Sequence, residues 1–403
     1  MKVMQINGVF HRGSTGAIID SIDQLLEKNG IDTVVCYGIG PREKNAIKFC
    51  YRYEQAIYRR VSKVIGLRYG FAPFSTRRLI KTIKKEAPDI VHLHSVNGNC
   101  LNIYSLLKWL KKNSISTVIT NHAEFFYTGN CTSTYGCTRF QEGCLKCPHK
   151  KWATDGAIYC NTNRSWKKMK EAFDGFKKIS IVSVSEYITR QSLKSPIVNQ
   201  FRHETIFNGI DTNIFYPRNA RSIKERHGIK INEKVLLFVT AEFSTDKNHL
   251  KGGYYFIKLA ELMRHFPYKF VLVGSVKNID ESKYPNILFV GSVYEKNLLA
   301  EYYSMADVTL SLSKAESFGL TCAESLCCGT PVAGFKSGGA NSISIQQYSF
   351  FTEVGNVKEL ADHLEEFIDL CANKKGIISS KARERYSDTK MGEQYMRLYK
   401  TML

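Results

Sequence analysis

Short apolar runs alternate with stretches of helical periodicity along the first half of the chain. Val3–Ile6, Thr33–Tyr37, Ile90–Leu93, Thr117–Thr120 and Ile179–Val184 are rich in β-branched and aliphatic residues and read as strands. After the first of them, Ile18, Ile19, Ile22, Leu25 and Leu26 recur at helical spacing, and Gly30 supplies a stop. The second half repeats the scheme, with strands expected near Val235–Thr240, Phe270–Val273, Ile287–Val290, Val308–Leu312 and Pro331–Ala333. Strand–helix alternation favours parallel sheets covered on both faces. The pattern therefore predicts an α/β protein of two doubly wound domains, over 1–205 and 206–375, joined near the loop-like stretch 208–219. The last stretch, 376–403, is helical but too polar to form a core alone, and is expected to pack back on the first domain.

Composition narrows the class. Of 403 residues, 43% are hydrophobic and 23% charged, which is ordinary globular usage and excludes a mostly disordered chain. No apolar run approaches the ~18–20 residues that span a bilayer. The opening Met1–Ile6 passes straight into a strand-like run without a signal-peptide core, so a cytoplasmic protein with reduced cysteines is expected. Lys and Arg number 57 against 37 Asp and Glu, a net charge of +20. Such a balance attracts nucleic acid, an anionic membrane or a phosphorylated substrate.

The segment 316–334, ESFGLTCAESLCCGTPVAG, carries the sharpest chemistry. It reads as a loop, a short helix closed by Gly329, a turn at Thr330-Pro331 and a buried strand. A helix opening near Phe318-Gly319-Leu320 presents unpaired backbone N–H groups and a positive dipole end, which suits a diphosphate. Glu316 stands before that helix and Glu324 about a turn inside it, so their carboxylates reach different parts of one ligand. Taken singly, each also reads as a cap or a solvated helix residue.

This segment closely resembles the Glu-x7-Glu motif of the family-4 retaining glycosyltransferases. Three further stretches resemble that family in order along the chain: Gly13-Ser14-Thr15-Gly16 its glycine-rich loop, Asn208-Gly209-Ile210-Asp211 its interdomain turn, and Lys251-Gly252 its Lys-Gly element. The stretches TNHAEFFYTGNC at 120–131 and CTRFQEGCLKCP at 137–148 resemble a subgroup that builds bacterial capsular and extracellular polysaccharides of the colanic-acid type. The resemblance implies the GT-B fold, two facing Rossmann-like domains with a cleft between them. It implies a retaining transferase acting from a nucleotide-diphosphate sugar on a lipid-linked glycan, with no cofactor required for catalysis. Lys251 would neutralise the diphosphate, Glu324 would accept from the ribose hydroxyls, and Glu316 would hold hydroxyls of the donor sugar. Phe318, Gly319, Leu320, Gly13, Gly16 and Asn208 complete the implied donor-binding set. His122, at a strand's carboxyl end where ligands of open α/β sheets bind, would lie against the donor sugar. Relatives often carry an Arg upstream of the Lys, an acid directly after the His and an acid after the Gly-Gly turn. This chain has Ala241-Glu242-Phe243, Ala123 and Ala340-Asn341-Ser342 at those places.

Two segments lie outside those motifs. In the insertion 128–150, Cys131, Cys137, Cys144 and Cys147 form C-x5-C-x6-C-x2-C. Cys144-x2-Cys147 has zinc-knuckle spacing, so a structural zinc and a set of buried thiols stand as alternatives. Between Lys44 and Lys85 there are twelve Lys or Arg and one acid, Glu54, with aromatics interleaved. Ile57, Val61, Val64 and Ile65 allow an apolar helix stripe beside Arg59, Arg60 and Lys63. The apolar stripe alone fits core packing equally well, and the basic stretch fits a solvated face or docking on the inner face of the plasma membrane; the latter is expected for a lipid-linked acceptor. The missing G-x-G-x-x-G, and the lack of an acid after the second strand at the ribose position, argue against an NAD enzyme. A sugar phosphorylase and a basic nucleic-acid-binding protein are the competing readings. No nucleic-acid-binding module is recognised.

Overall fold

The structure, a computed structural model, describes residues 1–403 except Arg12, Ile231 and Asn278. The chain divides into two compact units, Met1–Phe207 with Met391–Leu403, and Asn208–Lys390.

The first unit runs β1 (Lys2–Val9), α1 (Gly13–Lys28), β2 (Asp32–Ile39), β3 (Ala46–Lys48), α2 (Arg52–Ile65), α3 (Pro73–Glu86), β4 (Ile90–Leu93), α4 (Ile103–Lys112) and β5 (Ser116–Asn121). It continues through α5 (Phe125–Thr128), α6 (Lys150–Ala153), α7 (Thr162–Phe173), β6 (Ile179–Ser183), α8 (Glu186–Leu193) and β7 (Arg202–Thr205). Its seven strands form one sheet in the order β3-β2-β1-β4-β5-β6-β7, with every pairing parallel. The order reverses between β1 and β4, the switch point at which open α/β sheets leave a crevice. Both faces are covered. Met4, Ile6, Leu93 and Ile119 point into one core with α4 and α7, while Val3, Ile90 and Val118 point into the other with α1.

The second unit runs α9 (Arg221–Arg226), β8 (Lys234–Glu242), α10 (Gly253–Leu262), β9 (Tyr268–Ser275), β10 (Ile287–Gly291), α11 (Lys296–Met305), β11 (Val308–Ser311) and α12 (Leu320–Cys327). It closes with β12 (Val332–Phe335), α13 (Gly339–Ile343), β13 (Ser349–Thr352), α14 (Val357–Cys371) and α15 (Lys375–Tyr386). The six-stranded sheet, again parallel throughout, is ordered β10-β9-β8-β11-β12-β13, with its switch point between β8 and β11.

Two local expectations differ from what is observed. The stretch 376–403 is two helices, because α15 packs on α12 in the second unit and only α16 (Asp388–Thr401) supplies core to the first. Met391, Tyr395, Leu398 and Tyr399 of α16 are buried there, a spacing invisible until the polar residues between them are seen to face water. The Gly13–Gly16 stretch is the first turn of α1 and not a loop. Among the described residues no helix is long and apolar enough to cross a membrane.

Candidate active site

In the second unit the site residues gather at the switch point. Gly252 has a left-handed backbone (φ 78°) at the start of α10, and a Cβ on it would lie 1.9 Å from the Leu312 carbonyl oxygen. Glycine there lets the loop after β8 press on the end of β11, which fixes Lys251 beside it. The Lys251 Nζ lies 2.7 Å from Glu316 Oε1, so two residues expected to hold different parts of a ligand hold each other here. Glu316 is clamped in turn, since its N–H donates to the Ser337 carbonyl at 2.9 Å and its own carbonyl accepts from Gly339 N–H at 2.7 Å. A side chain at Gly339 would meet the Ser317 carbonyl at 2.2 Å, so the Gly-Gly turn is what admits this contact. Asn341 Oδ1 accepts from Gly338 N–H at 2.9 Å and ties the turn where relatives often carry an acid.

Phe318 is buried, and Gly319 (φ 96°) precedes α12 without a side-chain cap. The opening N–H groups of a helix have no intrahelical partners, and here they lie at the end of the loop that carries Glu316. Glu324, half-buried on α12, accepts a hydrogen bond from Tyr303 Oη at 2.8 Å. Shielding from water pushes its carboxyl up to about 7, opposed by the Tyr303 hydrogen bond and the Lys296 charge. Tyr303, fully buried on α11, had no signal in the sequence. Upstream of Lys251, Ala241 and Glu242 end β8 exposed, so no cation occupies that strand end. Asn208 is buried in the turn opening this unit, where Ile210 pairs with Ser387.

His122, Gly13 and Gly16 belong to the first unit. His122 follows β5, and its Nε2 lies 3.1 Å from Nδ1 of His94, which follows β4. Beneath them, His92 Nδ1 meets Tyr399 Oη at 2.7 Å and His92 Nε2 meets Thr120 Oγ1 at 2.7 Å. Burial pushes His122 down to about 4 and holds His92 and His94 well below the usual imidazole range. His122 is therefore an uncharged hydrogen-bonding group at neutral pH. The sequence reading missed His92 and His94, although His94 carries the same strand-end signal that singled out His122. Glu124 is buried two residues on and accepts from Thr134 N–H at 2.7 Å, with burial raising its carboxyl. Gly13 is exposed and Gly16 buried in the first turn of α1.

The four insertion cysteines are free thiols. Burial raises Cys131, Cys144 (to about 12) and Cys147, and each is disfavoured further by the charge of its neighbours, Cys160 among them for the last two. Among the described residues no group of three or more His, Cys, Asp or Glu stands close enough to hold a metal ion. The thiols are thus neighbours without forming a metal cage in this arrangement.

Residues 19–214 match the family described as Glycosyltransferase Family 4, and residues 219–385 match Glycosyl transferases group 1. The N-acetyl-alpha-D-glucosaminyl L-malate synthase of Bacillus anthracis is 27% identical over 215 residues, covering 50% of this chain and 54% of that one. The putative colanic acid biosynthesis glycosyl transferase WcaC of Escherichia coli (strain K12) is 26% identical over 163 residues, covering 37% and 40%. These alignments cover only about half the length of the curated relatives that the chain matches. A crystal structure of Anabaena HepE in complex with UDP and glucose superposes with a TM-score of 0.65 at 15% identity, covering 100% of both chains. At that identity the likeness concerns the fold.

Proposed function

The chain belongs to the family-4 glycosyltransferases of GT-B fold, and on that premise we propose that it moves a sugar, with retention, from a nucleotide-diphosphate donor to a lipid-linked glycan. The setting is bacterial surface polysaccharide synthesis at the inner face of the plasma membrane. The carrying observation is the Lys251–Glu316 pair at 2.7 Å beside the α12 N-terminus, at the switch point of the second sheet. A cation and a helix dipole end meet there, as a diphosphate requires.

Each residue then has a task. Lys251 and the opening amides of α12 take the diphosphate, whose charge grows as the anomeric C–O bond breaks, so their contacts strengthen toward the transition state. Glu316, released from Lys251, holds donor-sugar hydroxyls, and Glu324 accepts from the ribose. The neutral His122 donates to or accepts from the sugar. The leaving diphosphate keeps the bonding electron pair. The acceptor hydroxyl attacks the same face, forms the new C–O bond, and passes its proton to the departing phosphate oxygen. No enzymic nucleophile enters, and no cofactor is assigned a step.

Incubation with a panel of nucleotide sugars tests the reading. Slow hydrolysis of one donor, and transfer when a lipid-linked glycan is added, is the expected result. Turnover that required inorganic phosphate in place of a nucleotide would make the protein a phosphorylase. Salt-dependent oligonucleotide binding with no donor turnover would remove the reading.

A further inference from the structure

Helix α2 does not use its apolar stripe as a core helix does. It buries Glu54 and Ser62, while Ile57 (52% exposed) and Val64 stand in water with the half-buried Val61 between them. Glu54, the only acid between Lys44 and Lys85, is consumed inside the fold. Its carboxylate accepts from the N–H groups of Phe74 and Ser75 at 2.8 and 2.7 Å and so caps α3, whose own N-cap residue, Ala72, makes no side-chain cap. Ten of the twelve basic residues of this stretch are exposed, Lys48 and Arg68 being half-buried, and no exposed acid stands among them.

A second segment completes the face. The last-turn carbonyls of a helix lack intrahelical partners. Those of α2 are taken by distant residues, because Ile158 N–H donates to the Lys63 carbonyl at 2.9 Å and Tyr159 N–H to that of Val64 at 3.0 Å. Asn161 Nδ2 donates to Ile65 at 2.6 Å. The strap so fixed leaves Ile158 and Tyr159 65% and 62% exposed, and Trp152, also exposed, lies at its start beside Lys150 and Lys151.

We propose that α2 and the 150–159 strap form one docking surface for an anionic lipid bilayer, so that the stretch just past the cysteine-rich insertion serves as membrane anchor. Apolar side chains set among lysine and arginine match an interface whose outer layer is anionic and whose inner layer is hydrocarbon. The inference rests on the lipid-linked acceptor reading and adds which surface meets the membrane.

Flotation with phosphatidylcholine vesicles, with and without phosphatidylglycerol, tests it at low salt. The wild type should float with anionic vesicles and not with neutral ones. Ile158→Ser with Tyr159→Ser should weaken that binding at least about tenfold, the scale of two interfacial side chains lost. Leu370→Ser, equally exposed on the second unit, should change nothing. Arg59→Glu with Arg60→Glu and Lys63→Glu alters no strap residue and should also release the protein, so either variant decides if the other fails to fold. A double variant that floats like the wild type overturns the proposal. So does a wild type that ignores anionic vesicles but doubles its mass by light scattering, since the occupant is then a second copy. Nucleoside-diphosphate binding, measured on the same samples, separates this failure from failure of the transferase reading.

Discussion

Lys251 and Glu316 hold each other at 2.7 Å, so an incoming diphosphate competes with a carboxylate for the ammonium. Lys251→Ala removes the cation and leaves Glu316 facing the phosphates. Nucleoside-diphosphate affinity and turnover should fall about ten- to a thousandfold, the scale of losing a charge-assisted contact. Calorimetry and donor hydrolysis check this, and unchanged values would take Lys251 out of the donor site. Glu324 adds a pH dependence. Its carboxyl, pushed up to about 7, binds more protons folded than unfolded between 4.5 and that value. Stability from this group therefore falls as pH rises through the window and is unaffected below it. Ribose binding needs the carboxylate, so nucleotide affinity should drop as pH falls below about 7. Tyr303→Phe deletes the hydrogen bond that favours the ionised form, so the midpoint of that drop should move up by about one pH unit. An affinity profile across pH that stays in place would detach Tyr303 from Glu324.

Helix α16 is held to the first sheet by apolar packing and by two tyrosines, one bonded to a buried histidine and one to a buried threonine. Tyr399 Oη meets His92 Nδ1 at 2.7 Å, and Tyr395 Oη meets Thr120 Oγ1 at 2.9 Å. Tyr399→Phe keeps the ring and strips the partner from an imidazole nitrogen that no water reaches. The expected cost is about 1–3 kcal/mol, seen as a lower urea midpoint with unchanged slope. Nucleotide affinity should hold, because Lys251 and Glu324 belong to the other unit. A midpoint equal to wild type would mean that the His92 nitrogen finds another partner. The same element shows why polar composition misleads. The interval 376–403 averages polar, yet α16 offers a buried face of Met391, Gly392, Tyr395, Leu398 and Tyr399, while α15 spends its small buried set on α12.

At the scale of the whole molecule, the proposed chemistry is divided between two units. His122→Ala should lower turnover with little change in nucleoside-diphosphate affinity, since its unit holds neither Lys251 nor Glu324. A collapse of that affinity would assign His122 to the fold or the phosphate site. The insertion cysteines carry a separate proposal. A zinc bound by Cys131, Cys137, Cys144 and Cys147 requires the thiols to deprotonate together and draw closer than they stand here. Protein purified under reducing conditions should then approach one zinc per chain, and Cys144→Ser should lose it. A metal-free protein of equal stability would leave the cluster as buried thiols.

Alternation of β-branched runs with helical periodicity determined the two α/β units, because a strand buried on both faces must be apolar along its length and a covering helix must not. The strand expected at Thr117–Thr120 is β5 (Ser116–Asn121), and the unit boundary lies two residues from the expected one. The motifs singled out Lys251, Glu316 and Glu324 as residues for one ligand, since loop chemistry is written in consecutive residues. Three things were settled only by tertiary structure. Lys251 pairs with Glu316, 65 residues away; Tyr303 reaches Glu324; and the α2 stripe faces water. A one-dimensional pattern records that a face is apolar but not whether another element covers it. Coverage is a long-range outcome, decided here when Glu54 turned inward to cap α3 and the strap closed on the end of α2.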